Sequence, residues 1–231
     1  MLDEQHTRER GDARAKLDLY ASLLDWRRTV GDLYADIRMM EPEEGWALWR
    51  DTRDRLFRSH AQSPLSQARR TQFEGVNYFP YDPALRFTVG LQPADGRETL
   101  QAEAGKDGLM TLVPFALTQG LEQPLGKELT LYWINGYAGG VFLPFNDATN
   151  GWTTFAGGRY LLDTIKSADL GAAEDGRLIL DFNFSYYPSC AYSEAWVCPL
   201  SPIENRLKRA IAGGERDAPD ERREPAGLRL V

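Results

Sequence analysis

The chain has 231 residues, enough to bury a full core, and its 42% hydrophobic and 11% aromatic content excludes an intrinsically disordered protein. A formal charge of −7 excludes a generic phosphate-tracking surface, because non-specific nucleic-acid binding draws on clustered Lys and Arg. No apolar run is long enough to span a bilayer, and Met1-Leu2-Asp3-Glu4-Gln5-His6 lacks the apolar stretch of a signal peptide.

The expectation is a cytoplasmic protein with neither a membrane nor a nucleic-acid partner, whose two cysteines are free thiols. From Lys16 to Met40, apolar residues recur at three-and-four spacing through Leu17, Tyr20, Leu24 and, alongside them, Leu23, Trp26, Val30, Leu33, Tyr34 and Ile37. That spacing predicts a long amphipathic helix, which could pack on its own domain or form a homodimer with a second copy. Glu41-Pro42-Glu43-Glu44 ends it and starts another, since Pro suits a first turn and carboxylates favour a helix N-terminus. The second helix carries Trp46, Trp49, Leu56 and Phe57, with Arg53 interrupting its apolar face. Arg50, Arg53, Arg55 and Arg58 are interleaved with Asp51 and Asp54 and read as an exposed mixed-charge face.

After Ser63-Pro64-Leu65 the pattern changes to alternation punctuated by Gly and Pro, the strand signature. Strands are expected over Arg86–Leu91, Glu98–Glu103, Leu109–Thr118, Glu128–Asn135, Gly140–Phe145, Arg159–Ile165 and Arg177–Phe184. Short strands separated by turns imply an α+β protein, with N-terminal helices followed by a mainly antiparallel β-sandwich or barrel. The expected divisions are a helical region over 1–62, a β-rich domain over 63–212 and a disordered tail over 213–231, which is rich in charge and Pro.

Candidate chemistry concentrates between Gly157 and Leu207. A hairpin between the last two strands would bring Arg159 against Asp181, with Asn183 on the same face as Asp181. Such a floor could clamp a carboxylate or phosphate on the Arg159 fork, or could be a structural ion pair. Cys190 is a candidate nucleophile if its thiol is activated, with His60 as the available base, although His60 at a helix end equally suits a C-terminal position. Glu204 is a candidate acid-base group, but Ser201-Pro202-Ile203-Glu204 also fits a capping box opening a helix from Pro202 to Ala212. The catalytic candidates are therefore Asp181, Cys190 and Glu204, and the ligand-binding candidates His60, Arg159, Tyr160, Asn183, Tyr192 and Asn205. No cofactor is expected, and no metal, because Cys190, Cys198 and His60 lack an evident fourth ligand. Gly120 to Lys127 imitates a phosphate loop, but with wrong spacing and with Glu128 where magnesium requires Ser or Thr.

Several segments together resemble the bacterial family of unknown function DUF1684: Trp49-Arg50, His60-Ala61-Gln62-Ser63-Pro64-Leu65, Phe79-Pro80-Tyr81-Asp82-Pro83 and Phe142-Leu143-Pro144-Phe145-Asn146-Asp147-Ala148-Thr149. Gly157-Gly158-Arg159-Tyr160-Leu161, Leu180-Asp181-Phe182-Asn183, Pro188-Ser189-Cys190-Ala191-Tyr192, Cys198-Pro199-Leu200 and Glu204-Asn205-Arg206-Leu207 complete the match. The family pattern has Asn at the position of Tyr187 and Arg at that of Asn146, so no role is carried to those two. The resemblance implies that these polar positions are a family feature, and it implies no reaction. Two readings stay open: a domain that binds a small polar or anionic molecule, with or without hydrolase-like or transferase-like activity, and a non-catalytic structural or protein-interaction module.

Overall fold

The computed structural model describes residues 2–217 apart from 104, 106, 107, 138 and 195, with side chains described from residue 12 onward. Helix α1 (Leu2–Ile37) starts well before the Lys16 that the apolar spacing marks. Apolar periodicity reports where a helix is covered, whereas the charged good helix formers ahead of Lys16 extend it at little cost. Leu33, Tyr34 and Ile37 are buried, while Leu17, Tyr20 and Leu24 further up are exposed. Helix α2 (Pro42–Ser59) opens with Pro42 and the acidic Glu43 and Glu44 in its first turn, and Trp46, Trp49, Leu56 and Phe57 are buried along one face. A short α3 (Gln67–Arg70) follows, capped by the Ser66 hydroxyl. Among the described residues no helix is long and apolar enough to cross a membrane.

The strands are β1 (Arg86–Pro93), β2 (Leu100–Glu103), β3 (Leu109–Gln119), β4 (Thr130–Asn135), β5 (Gly140–Phe145), β6 (Arg159–Asp163) and β7 (Leu178–Asp181). They form one antiparallel sheet in the order β6-β5-β4-β3-β1-β7, with β2 added on β3. The sheet curls until it is nearly closed into a barrel, so the barrel alternative is realised and the protein is α+β. Register shifts fall between Pro114 and Ala116 and between Leu143 and Pro144. Bulges of this kind bend a strand and tighten its twist, and Pro, which cannot donate to the ladder, is tolerated there.

One apolar cluster gathers Val89, Leu129, Leu131, Leu143, Phe145, Leu180 and Phe182 with Leu207 and Ile211 from the C-terminal segment. A second packs Leu33, Tyr34 and Ile37 of α1 and Trp46 and Trp49 of α2 on Ala168 and Phe184. The helices are therefore fastened to the sheet: Trp46 Nε1 donates to the Asn183 carbonyl at 3.0 Å, and the Trp49 ring lies 5.4 Å from that of Phe184.

Three local expectations are corrected. Strand β7 ends at Asp181, because the Asp181 carboxylate accepts the Asn183 amide at 3.0 Å and turns Phe182–Phe184 into a 3-10 turn. The helix expected from Pro202 to Ala212 is a single 3-10 turn, Ile203–Asn205, and no side chain caps it. The chain instead runs beside Asn146, with Leu207 N donating to the Asn146 carbonyl at 2.8 Å, and this extended path seats Leu207 and Ile211 in the core. Finally, the tail expected to be disordered from Gly213 is tied down at its start. Gly214, at φ +74, passes so close to Ser185 that a Cβ would sit 2.3 Å from its carbonyl oxygen, and Glu215 is fully buried. Residues 218–231 lie outside the described residues.

The imitation phosphate loop explains itself. Its amides do converge on an anion, but the anion is the chain's own: Glu128 accepts from Gly120, Leu121 and Glu122 at 2.8–3.0 Å and from the Thr118 hydroxyl at 2.5 Å. Partial burial opposes ionisation, yet these donors outweigh it and hold the carboxyl below its ordinary range. A depressed folded-state pKa contributes stability that is present above the unfolded value and is lost as pH falls through the folded one. The melting temperature should therefore fall more steeply below about pH 4.5 in the wild type than in Glu128→Gln, with the two profiles parallel in that range if the contact is inert.

Candidate functional site

Arg159 enters β6 behind Gly158, whose φ of +90 and close approach to the Phe145 carbonyl leave no room for a Cβ. Its side chain is completely buried and does not face Asp181. Strand β7 pairs with β1 rather than β6, so Asp181 meets Arg86 directly across the ladder, 3.2 Å from its guanidinium. Arg159 instead reaches the loop after β5, where Asp147 Oδ2 accepts from it at 2.7 Å. The same guanidinium donates to the carbonyls of Ile211 at 2.8 Å, Gly213, and Glu215 at 3.3 Å. Asp147 Oδ1 in turn accepts from the Thr149 amide and hydroxyl and from Ile211 N. The planar fork is thus used on the chain's own C-terminal segment.

Two further candidates are equally absorbed. Asn205, fully buried, donates to the carbonyls of Thr130 and Pro144 and accepts from Thr130 N, stitching β4 and β5 to the C-terminal segment. Asn183 donates to the Asp82 carbonyl and to Asp181, and accepts from Asp82 N. Burial pushes the Asp181 carboxyl upward against the pull of Asn183 and Arg86. His60 is the residue that follows α2 and caps its C-terminus through its backbone amide; its ring meets Asp25 at 3.2 Å, accepts from Gln62 N and packs edge-on to Trp26. It therefore ties α2 to α1, while Cys190 lies in a different neighbourhood, beside Cys198. Glu204 keeps one carboxylate oxygen buried with no partner among the described residues. Tyr132 nearby is pushed up to about 12, first by burial and then by that carboxylate.

What the structure does bring together is a centre at the seam of the barrel, under α2. Trp49, Arg53 and Phe57 project from α2 at successive four-residue steps, one helix face. The Arg53 guanidinium lies 4.9–5.1 Å from the rings of Trp49, Phe57 and Tyr186, an aromatic sleeve with Tyr78 beside it. At its end Arg53 pairs with Glu215, whose side chain has no exposure at all. Glu215 Oε2 also accepts from Tyr187 N at 2.5 Å and from the Tyr192 hydroxyl at 2.8 Å. Burial and the adjacent Glu215 charge push the Tyr192 phenol well up, so it stays protonated and donates. Desolvation opposes the charge on Arg53, but Glu215 together with Tyr78 and Tyr192 outweighs it, raising the pKa and keeping the guanidinium charged. Of the sequence candidates, Tyr192 touches this centre directly. Tyr160 lies one ring away, 5.9 Å from Tyr186, with its hydroxyl donating to the Pro199 carbonyl at 2.6 Å.

Sequence reasoning missed Arg53, Glu215 and Tyr78. The signal for Arg53 was its place in the apolar row between Trp49 and Phe57, where an exposed charge does not belong. Glu215 had a weaker one, the Gly213-Gly214 pair that a disordered tail does not need.

A curled antiparallel sheet with a C-terminal segment clamped by a buried Arg–Asp pair, and helices closing its seam, defines a small β-barrel class without an assigned reaction. The family model described as protein of unknown function (DUF1684) matches residues 71–216, and the chain belongs to that family. Its fold is similar to the solution NMR structure of an uncharacterised protein from Haloarcula marismortui, at 32% identity and a TM-score of 0.54, covering 78% of this chain and 96% of that one. No curated protein matches the chain.

Arg159→Met should destabilise the protein by about 3–5 kcal/mol, because it leaves Asp147 buried without its partner. Thermal or urea unfolding reads this directly. Arg159→Lys should recover little of the loss, since a point charge cannot serve a carboxylate and several carbonyls at once.

Proposed function

We propose that this protein binds a small neutral polar molecule at the barrel seam, between Arg53, Tyr186 and the Glu215 centre. The observation that carries the reading is that the Tyr186 hydroxyl is buried without a hydrogen-bond partner among the described residues, whereas the Arg53 guanidinium beside it is bonded to Glu215 and Tyr78. Such a group costs about 1–3 kcal/mol when left unsatisfied, and the two side chains lie against each other, 5.1 Å from guanidinium to ring. A guest carrying a carbonyl or hydroxyl oxygen would satisfy it.

A neutral guest is favoured over an anion because Glu215 already balances the Arg53 charge. The aromatic walls from Trp49, Phe57 and Tyr186 supply apolar area around few polar contacts, the usual make-up of a small-molecule site. The structural-module reading is favoured for a different set of residues, Arg159, Asn183 and Asn205, whose bonding is directed to the backbone and neighbouring side chains. No reaction is assigned to the centre.

The test compares native and denatured masses of the purified full chain, beside the same pair for Tyr186→Phe. The reading expects a bound organic mass in the wild type that Tyr186→Phe loses or holds more weakly. A wild type of bare chain mass, with Tyr186→Phe of equal or higher melting temperature, would mean that the hydroxyl serves no guest.

A further inference from the structure

The loop after β7 carries chemistry that the seam centre does not use. Cys190 and Cys198 are separated by seven residues and both are free and partly exposed. The fold brings them together: the Cys190 amide donates to Cys198 Sγ at 3.4 Å, and the two side chains are hydrogen-bonded to each other. Among the described residues no group of three His, Cys, Asp or Glu gathers that could hold a metal ion.

The surroundings make the pair unsymmetrical. The Cys190 thiol hydrogen-bonds Cys198, and the amides of Cys190 and Ser189, in the 3-10 turn Ser189–Ala191, point at the same sulfur, with the Lys166 cation nearby. These contacts lower the Cys198 thiol below its ordinary range, against the opposing effect of burial. Cys190 is pushed the other way, first by its bond to Cys198 and then by desolvation. One sulfur is thereby a ready thiolate and its neighbour a protonated thiol in contact with it. Beyond the 3-10 turn, the chain from Ser193 to Ser201 is in neither helix nor strand where it is described, so drawing the sulfurs to bonding distance breaks no ladder.

We propose that Cys190 and Cys198 form a thiol–disulfide exchange site that takes low-molecular-weight disulfides of the glutathione class, with Cys198 attacking and Cys190 resolving. In the first step the Cys198 thiolate bonds to one sulfur of the small disulfide and its S–S bond breaks, releasing one thiolate. In the second, Cys190 gives up its proton and bonds to Cys198 Sγ, and the mixed disulfide breaks to release the other. The protein dithiol is oxidised to a disulfide and the small disulfide is reduced to two thiols, one released thiolate taking the Cys190 proton and the other a proton from solvent, where the Cys198 proton had gone on ionisation. The site uses residues distinct from Arg53 and Tyr186, so it stands or falls independently of the guest.

The reduced full chain is incubated with glutathione disulfide, quenched with acid, alkylated, and its cysteines are mapped by mass spectrometry. Wild type should lose both thiols together and retain no glutathione, Cys190→Ser should hold one glutathione on Cys198, and Cys198→Ser should react roughly tenfold more slowly than Cys190→Ser. Should a serine variant fail to fold, iodoacetamide labelling of the native wild type across pH 6 to 9 serves instead. It should mark Cys198 ahead of Cys190, with a midpoint below that of an ordinary thiol. Two thiols that stay free in wild type, glutathione accumulating on either one, Cys198→Ser matching Cys190→Ser, or equal labelling of both would each overturn the proposal.

Discussion

The structure depends on the buried pair of Arg159 and Asp147. Neither side chain has any exposure, and an ion pair taken fully out of water recovers its desolvation cost when every remaining donor and lone pair is used. Here most are used on backbone: Arg159 on the carbonyls of Ile211, Gly213 and Glu215, Asp147 on the amides of Thr149 and Ile211. The interaction therefore specifies a path more than it adds stability. It draws the C-terminal segment along the barrel, and Gly214 then lets the chain pass Ser185 closely enough for Glu215 to reach Arg53.

Much of the fold is written in local patterns. Three-and-four spacing marked α1 and α2, and alternation between turns marked seven strands, because burial on one face leaves a periodic trace in a helix or a strand. Pairing leaves none. Arg159 and Asp181 were placed together because a hairpin is the cheapest connection between consecutive strands, yet β7 crosses to β1, and Asp181 finds Arg86 across 95 positions of sequence. Arg53 and Glu215 are 162 positions apart, and neither end describes the other. Arg53 looked like surface because its neighbours in sequence are Arg and Asp, whereas its neighbours in space are Trp49, Phe57 and Tyr186.

The density of polar residues between Gly157 and Leu207 is an ambiguous signal of role. A buried Asn or Arg must be satisfied whether it holds a ligand or a loop, so residue type alone does not separate the two. Counting partners does. Asn183 bonds to Asp82 and Asp181, and Asn205 to Thr130 and Pro144, and these contacts fasten one part of the chain to another. Tyr186 keeps a hydroxyl that is buried and unbonded among the described residues, and such an atom has capacity for something from outside.

The location of that capacity follows from how the barrel closes. A strand inside a ladder has its amides and carbonyls spoken for, and its side chains are committed to one face or the other. Strands β6 and β7 share no ladder; the seam between them is spanned by the segment after β7, through the paired backbones of Tyr160 and Tyr186. That segment is free of the pleat, so its side chains project at turn geometry rather than in alternation. Tyr186, Tyr187, Cys190, Tyr192 and Cys198 all lie on it, Glu215 is bound along it, and α2 lies over its start. An incompletely closed sheet thus leaves one stretch of chain where unpaired donors and thiols can coexist with a well-packed core, and the helices that cover the seam keep that stretch from becoming an open sheet edge.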